Sequence, residues 1–253
     1  MSMEPEQAKP ARHDTDAWAK PVTHLEAGAV PAGAININVS GRRLSGPVQG
    51  FGRLWQKTYR MRIPSDVVSP LELIQTWKAN FGSYWPEGNN FYGPLTSLSP
   101  GDVAVLNVKA GGGMKLSTGV MVVFADEEAF TFMTPQGHMF AGMLTFSARS
   151  EGDSTLVQIE PMIRTNDPLY ELGWPVIKRK EDAFWIQTLR NLGAHFGQTD
   201  VEVDLTVNCV DRRRQWRHAG NVWHNAGVRS GVYMAAAPYR WFVKPFRRSK
   251  QDA

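Results

Sequence analysis

With 253 residues, 42% of them hydrophobic and 21% charged, the chain has the makeup of a globular protein long enough to bury a core without staples. A single cysteine, Cys209, excludes an internal disulfide and points to a reducing, cytoplasmic setting; no uncharged apolar run approaches the roughly eighteen residues that a membrane helix needs. The net charge of +4 is unevenly placed: Arg212 to Lys250 holds ten basic residues and no acidic ones, which leaves the rest of the chain at −6.

Residues 1–33 are rich in Pro, Ala and Glu, which reads as a disordered leader without the apolar stretch of a secretion signal. In Leu54–Ile63, Trp55, Tyr59, Met61 and Ile63 alternate with Gln56, Thr58, Arg60 and Arg62, the period of a half-buried strand. Pro70 then opens a helix whose stripe is Leu71, Ile74, Trp77, Phe81 and Trp85, stopped by Pro86, Gly88, Asn89 and Asn90. Asn90–Leu95 adds a short strand. A run of strands follows at Asp102–Val108, Ser117–Phe124, Ala129–Met133, Phe140–Ala148 and Thr155–Ile163, separated by turn residues at 111–113, 126–128, 135–137 and 151–153. Short strands joined by hairpin-length loops predict an antiparallel meander. Asp167 and Pro168 cap a further helical turn, and a long helix over Val176–Phe196 aligns Ile177, Phe184, Trp185, Leu189, Leu192 and Phe196 before Gly197 ends it. Val201–Cys209 reads as an extra strand. The basic stretch beyond it carries helical spacing through Trp216, Val222 or Trp223, Ala226 and Tyr233, weakened by Gly220, Gly227, Gly231 and Pro238.

A strand, helices, an antiparallel meander and a long amphipathic helix make an α+β chain in which the helix can cover the apolar face of a curved sheet. This order over about residues 50–197, with the stretches FGRLWQKTYR, FTFMTPQGHMFAG and RKEDAFWIQTLRNL, resembles the helix-grip fold of the START-like (SRPBCC, polyketide cyclase-like) superfamily. The expected division is a leader at 1–33, a grip domain at 34–200 and an extension at 201–253. The resemblance implies an apolar ligand held between sheet and helix. It also implies, for a minority of members, cyclisation or dehydration.

Several chemistries lack their signatures. GGGMK at Gly111–Lys115 lacks the spacing of a phosphate loop, Gly50 and Gly52 lack the third glycine of a dinucleotide fingerprint, and there is no GxSxG, CxxC or HExxH. His218 and His224 are six residues apart, facing away from each other on a helix, so with Cys209 they make no metal site. No cofactor is expected.

Four polar residues stand out as acid/base or anchoring candidates. Lys57 shares the apolar face of its strand, where an ammonium needs a carboxylate or a polar ligand; the alternatives are a slipped register or a side chain reaching a rim. Glu160 and Arg164 share a face with Gln158. That face is either the solvent side of the last meander strand or an inner face that orients a ligand. His138 lies in the turn after Thr134, at the mouth of the grip or as a turn-stabilising residue. The candidate ligand wall is aromatic: Trp55, Tyr59, Trp77, Phe81, Phe132, Phe140, Phe146, Phe184, Trp185 and Leu189, for which core and cavity lining are one surface. In the extension, Arg213, Trp223, Arg240, Trp241, Lys244, Arg247 and Arg248 mix cations with aromatics, the pattern of an anionic membrane surface. A protein partner or a second copy is the competing occupant, and nucleic acid the weaker one. The expectation is thus a binding or transport module for a lipid-like or polycyclic apolar molecule, at the cytoplasmic membrane face. The alternatives are a cyclase or dehydratase, or a non-catalytic subunit of a complex.

Overall fold

A computed structural model describes residues 14–28, 33–94, 97–111 and 114–236. Strands β1 (Leu54–Pro64), β2 (Asn90–Tyr92), β3 (Val103–Gly111), β4 (Met114–Ala125), β5 (Ala129–Met133), β6 (Phe140–Glu151), β7 (Ser154–Thr165) and β8 (Val203–Asp211) form one sheet in the order β2-β3-β4-β5-β6-β7-β1-β8. Every neighbouring pair is antiparallel. Strands β2 to β7 are the expected meander. β1 closes it by pairing with β7, Tyr59 opposite Ile159, and β8 continues the sheet along the other edge of β1, Tyr59 opposite Leu205.

Helix α1 (Pro70–Ala79) starts where Ser69 Oγ accepts from the Glu72 N–H. It ends at Asn80, whose side chain bonds the Thr76 carbonyl, and a separate 3-10 turn carries Phe81–Tyr84. The helix expected to reach Trp85 is therefore shorter, and its buried face is Leu73, Ile74 and Trp77, with Leu71 exposed. Asp167 Oδ1 caps α2 (Pro168–Leu172) by accepting from Leu169 and Tyr170. Helix α3 (Trp174–His195) follows directly, with Pro175 in its first turn, where the missing N–H costs nothing. Gly197, at φ +77°, takes the left-handed conformation that stops α3.

Alternation sorts the sheet into two faces. The inner one (Tyr59, Met61, Ile63, Leu106, Val120, Phe130, Phe132, Phe146, Val157, Ile159 and Ile163) shares one core with α1 and α3. The outer face of β3 and β4 has its own cover. Residues 14–28, expected as part of a disordered leader, lie along it: Trp18 tilts against Phe124, the Ala19 N–H donates to the Val123 carbonyl, and Leu25 packs with Val39, Val105 and Met121. The packing is so close there that a Cβ on Gly119 would stand 2.6 Å from Val39 Cγ2. Helix α4 (Ala226–Ala235) closes the same side over β4, with Ser230 Oγ accepting from the Ser117 N–H at 3.0 Å. The molecule is thus layered on both faces of its sheet.

Candidate ligand site between sheet and helix

The ten residues expected to line a ligand cavity belong to one contiguous cluster. Its rings meet across the layers: Phe146 contacts Trp77 at 5.3 Å and Trp185 at 5.5 Å, Phe81 contacts Phe132 at 5.0 Å, and Trp85 contacts Phe184 at 5.1 Å. Most are edge-to-face pairs, the arrangement favoured by the aromatic quadrupole. Sheet rings therefore reach helix rings directly. A second group of rings, Trp55 stacked on Trp174 with Phe140 edge-on, stands at the β1 end of the layer.

Beside Trp174 lies a buried polar cluster. Lys57 is fully buried and on the inner face, so neither a slipped register nor a rim position accounts for it. Its Nζ donates to Glu181 Oε2 at 2.6 Å and Asp182 Oδ1 at 2.7 Å, and stands 5.2 Å above the Trp174 ring. Tyr59 Oη donates to the same Asp182 oxygen at 2.7 Å. Two carboxylates on one turn of α3 thus converge on one ammonium from β1. Burial pushes the Glu181 carboxyl up to about 7, against the opposing pull of Lys57. Asp182 takes both the Lys57 and Tyr59 hydrogen bonds, while Glu181 Oε1 is buried with no hydrogen-bond partner. Among the described residues, the Nε1 atoms of Trp55, Trp77 and Trp85 and the Tyr84 hydroxyl are likewise buried and unpartnered.

Neither Glu181 nor Asp182 was among the sequence candidates. The signal was present for Glu181, which stands four residues from both Ile177 and Trp185 on the apolar stripe, where an acid calls for a buried cation.

The remaining candidates lie elsewhere. His138 is buried in the β5–β6 turn, its Nδ1 accepting the Phe140 N–H at 2.9 Å, and burial lowers its pKa to about 4. Glu160 and Arg164 are not on the inner face: in β7 that face is taken by Val157, Ile159 and Ile163, because one residue of offset exchanges the faces. Arg164 instead ties chain segments together, donating to the carbonyls of Gly52 (2.6 Å) and Arg213 (3.0 Å) and to Asp211 Oδ2 (2.5 Å). That bond holds the Asp211 carboxyl below its ordinary range. Arg213 and Trp223 are exposed beside α2 and α4, whereas Arg240, Trp241, Lys244, Arg247 and Arg248 lie outside the described residues. Among the described residues, no group of three His, Cys, Asp or Glu is placed to hold a metal, and no helix is long and apolar enough to cross a membrane.

An antiparallel sheet closed on a long helix that follows the meander is the helix-grip α+β fold, and this chain has it. No family model and no curated protein matches the chain. Solved structures similar to it include Protein Ms6760 from Mycobacterium smegmatis, at 12% identity over 56% of this chain and 92% of that one, with a TM-score of 0.41. The di-domain ARO/CYC StfQ from the steffimycin biosynthetic pathway is 9% identical over 55% of this chain and 50% of that one, with a TM-score of 0.42. Ginseng major latex-like protein 151 from Panax ginseng is 16% identical over 56% and 97%, with a TM-score of 0.35. The fold assignment stands on the strand order and helix placement described above.

Proposed function

We propose that this chain binds an apolar small molecule, lipid-like or polycyclic and carrying one polar end, between the inner face of the sheet and α3. The observation that carries the reading is the buried, unpartnered Oε1 of Glu181, on the same buried face of α3 as Trp185 and Leu189. An orphaned buried polar atom costs about 1–3 kcal/mol, and a ligand hydroxyl or amide reaching it would offset that cost. The apolar body would lie among Trp77, Phe81, Phe132, Phe146 and Trp185, beside the free indole N–H groups of Trp77 and Trp85. These rings touch one another, so the ligand enters by parting them. The reading is of binding, not turnover: Lys57 and Tyr59 are committed to the carboxylates, which leaves Glu181 Oε1 without a paired acid. Cyclisation or dehydration would use the same carboxyl, protonated near neutrality, as its acid.

Native mass spectrometry of the protein purified from cells tests this. The expected result is a co-purifying apolar molecule that is lost in Glu181→Leu, with the fold retained. A bare protein mass from every preparation would overturn the reading.

A second reading rests on a separate observation. Trp216 and Trp223 are 73% and 83% exposed, among Arg212, Arg213, Arg214 and Arg217. Exposed indoles beside cations suit an anionic membrane surface at the cytoplasmic face, where the ligand would be exchanged. A second copy or another protein is the competing occupant of that surface.

A further inference from the structure

On the outer side of the sheet, two arginines and a histidine from distant parts of the chain are brought together. Arg42 follows the covering segment, His224 ends the 3-10 stretch Trp216–His224, and Arg229 lies on α4. Arg42 Nη1 stands 3.0 Å from His224 Nδ1. The guanidinium can only donate, so His224 Nδ1 is the acceptor and its proton is carried on Nε2. Arg229 is held by Nε donating to Asn38 Oδ1 at 2.9 Å and Nη2 to the Ile37 carbonyl at 3.2 Å. Asn38 is buried and itself fixed, its Nδ2 donating to the Ser117 carbonyl at 2.8 Å and to Ser230 Oγ at 3.2 Å. Arg229 is therefore positioned by the docking of α4, and Arg42 by its bond to His224.

Among the described residues, none of the ion pairs involves Arg42, Arg229 or His224. Burial and then Arg229 lower the Arg42 pKa; burial, then Arg42 and Arg229, lower that of His224. Among the described residues, no carboxylate opposes either effect. Like charges gathered at fixed positions repel, and an anion seated among them turns that repulsion into attraction.

We propose that Arg42, Arg229 and His224 form a site for a phosphate group, supplied by an anionic lipid headgroup or by free phosphate. Beyond the bonds already made, the two guanidiniums keep further N–H donors and His224 keeps its Nε2–H, a donor set whose chemistry suits a phosphate oxygen. Trp223, the residue before His224, is 83% exposed, placed for an indole to enter the headgroup layer when the phosphate is that of a lipid. The site does not depend on the ligand proposed for the inner face. Its lipid form rests on the membrane reading, and the free-phosphate form does not.

Histidine-selective NMR tests it, with the His224 signal assigned through His224→Gln. The titration midpoint of His224 is followed in phosphate against chloride at equal ionic strength. It is then followed with phosphatidylcholine vesicles, with and without phosphatidic acid. An anion bound beside the ring favours its charged form, so the midpoint rises. A rise with inorganic phosphate supports the site and identifies free phosphate as sufficient. A rise only with phosphatidic acid vesicles supports it with a lipid source. Arg42→Gln and Arg229→Gln are expected to weaken the response about tenfold, as loss of a charge-assisted bond should. No rise with either probe overturns the proposal, and so does a rise that persists unchanged in both arginine variants. Where one arginine variant fails to fold, the wild-type titration still overturns the proposal if no rise is seen, and the other variant tests whether a rise depends on the arginines.

Discussion

His138 and Glu181 are both buried titratable groups, and they pull stability in opposite directions. The folded pKa of His138 is lowered from 6.5 to about 4, because burial disfavours the imidazolium. As pH falls through 6.5 the unfolded chain takes up the proton first, so stability is lost between pH 6.5 and 4, by about 3 kcal/mol at most. Glu181 is raised from 4.5 to about 7. There the unfolded chain loses its proton first, so stability falls as pH rises through the same region. The expected outcome is a shallow wild-type profile. In Glu181→Gln the unmasked His138 slope appears, with stability rising from pH 4 to 6.5; adding His138→Asn, whose carbonyl still accepts from Phe140, flattens it again. Urea unfolding across that pH range is the measurement. A Glu181→Gln profile without the slope would contradict the account of His138. Of these two residues, the sequence marked only His138. Position 181 reads as an acid on an apolar stripe, and nothing local says that the chain supplies it with Lys57 from a strand 124 residues away.

At the level of elements, α3 and β1 are joined by charge as well as by packing. Removing Lys57 leaves Glu181 and Asp182 facing each other with no cation, in a place where one partner's loss from a buried pair costs about 3–5 kcal/mol. Lys57→Met is therefore expected to lower stability by that order. Lys57→Met combined with Glu181→Leu and Asp182→Asn should recover most of it, because the desolvated charges go together. Thermal unfolding of the single and triple variants checks this; a Lys57→Met protein as stable as wild type would mean that the cluster contributes nothing to holding α3. The long helix was legible from its 3.6-residue stripe and from Gly197. The early end of α1 was not, because Trp77, Phe81 and Trp85 keep helical spacing while Asn80 turns its side chain back on the Thr76 carbonyl and breaks the backbone between them.

For the whole molecule, the exposed Trp216 and Trp223 lie on the side where α2 meets the extension: Arg214 Nε bonds Glu171 Oε1 at 3.0 Å, and the Gly227 N–H donates to Tyr170 Oη at 2.8 Å. Leu172, 82% exposed, stands on the same helix as both partners. Flotation with vesicles containing phosphatidylserine should carry the full chain at low salt, and added salt should release it, since each cation near the surface contributes about 1 kcal/mol and is screened. Trp216→Ser with Trp223→Ser should reduce flotation even with residues 237–253 present. Equal flotation of the two proteins would assign the surface to a protein partner or a second copy.

Composition, period and punctuation were enough to determine the class of this protein. An alternating first strand, a meander cut by turn residues, a capped helix with one aromatic stripe and an uneven charge are all local or additive properties of the chain. What only the tertiary structure decided are the pairings across distance. Lys57 met Glu181 and Asp182; Arg164 turned outward to Asp211; residues 14–28 and α4 covered the outer face; and Arg42, His224 and Arg229 came together there. The reason is physical. A period reports which side of an element is apolar, but the neutralising partner of a buried charge is set by register and layer order, which no single segment encodes.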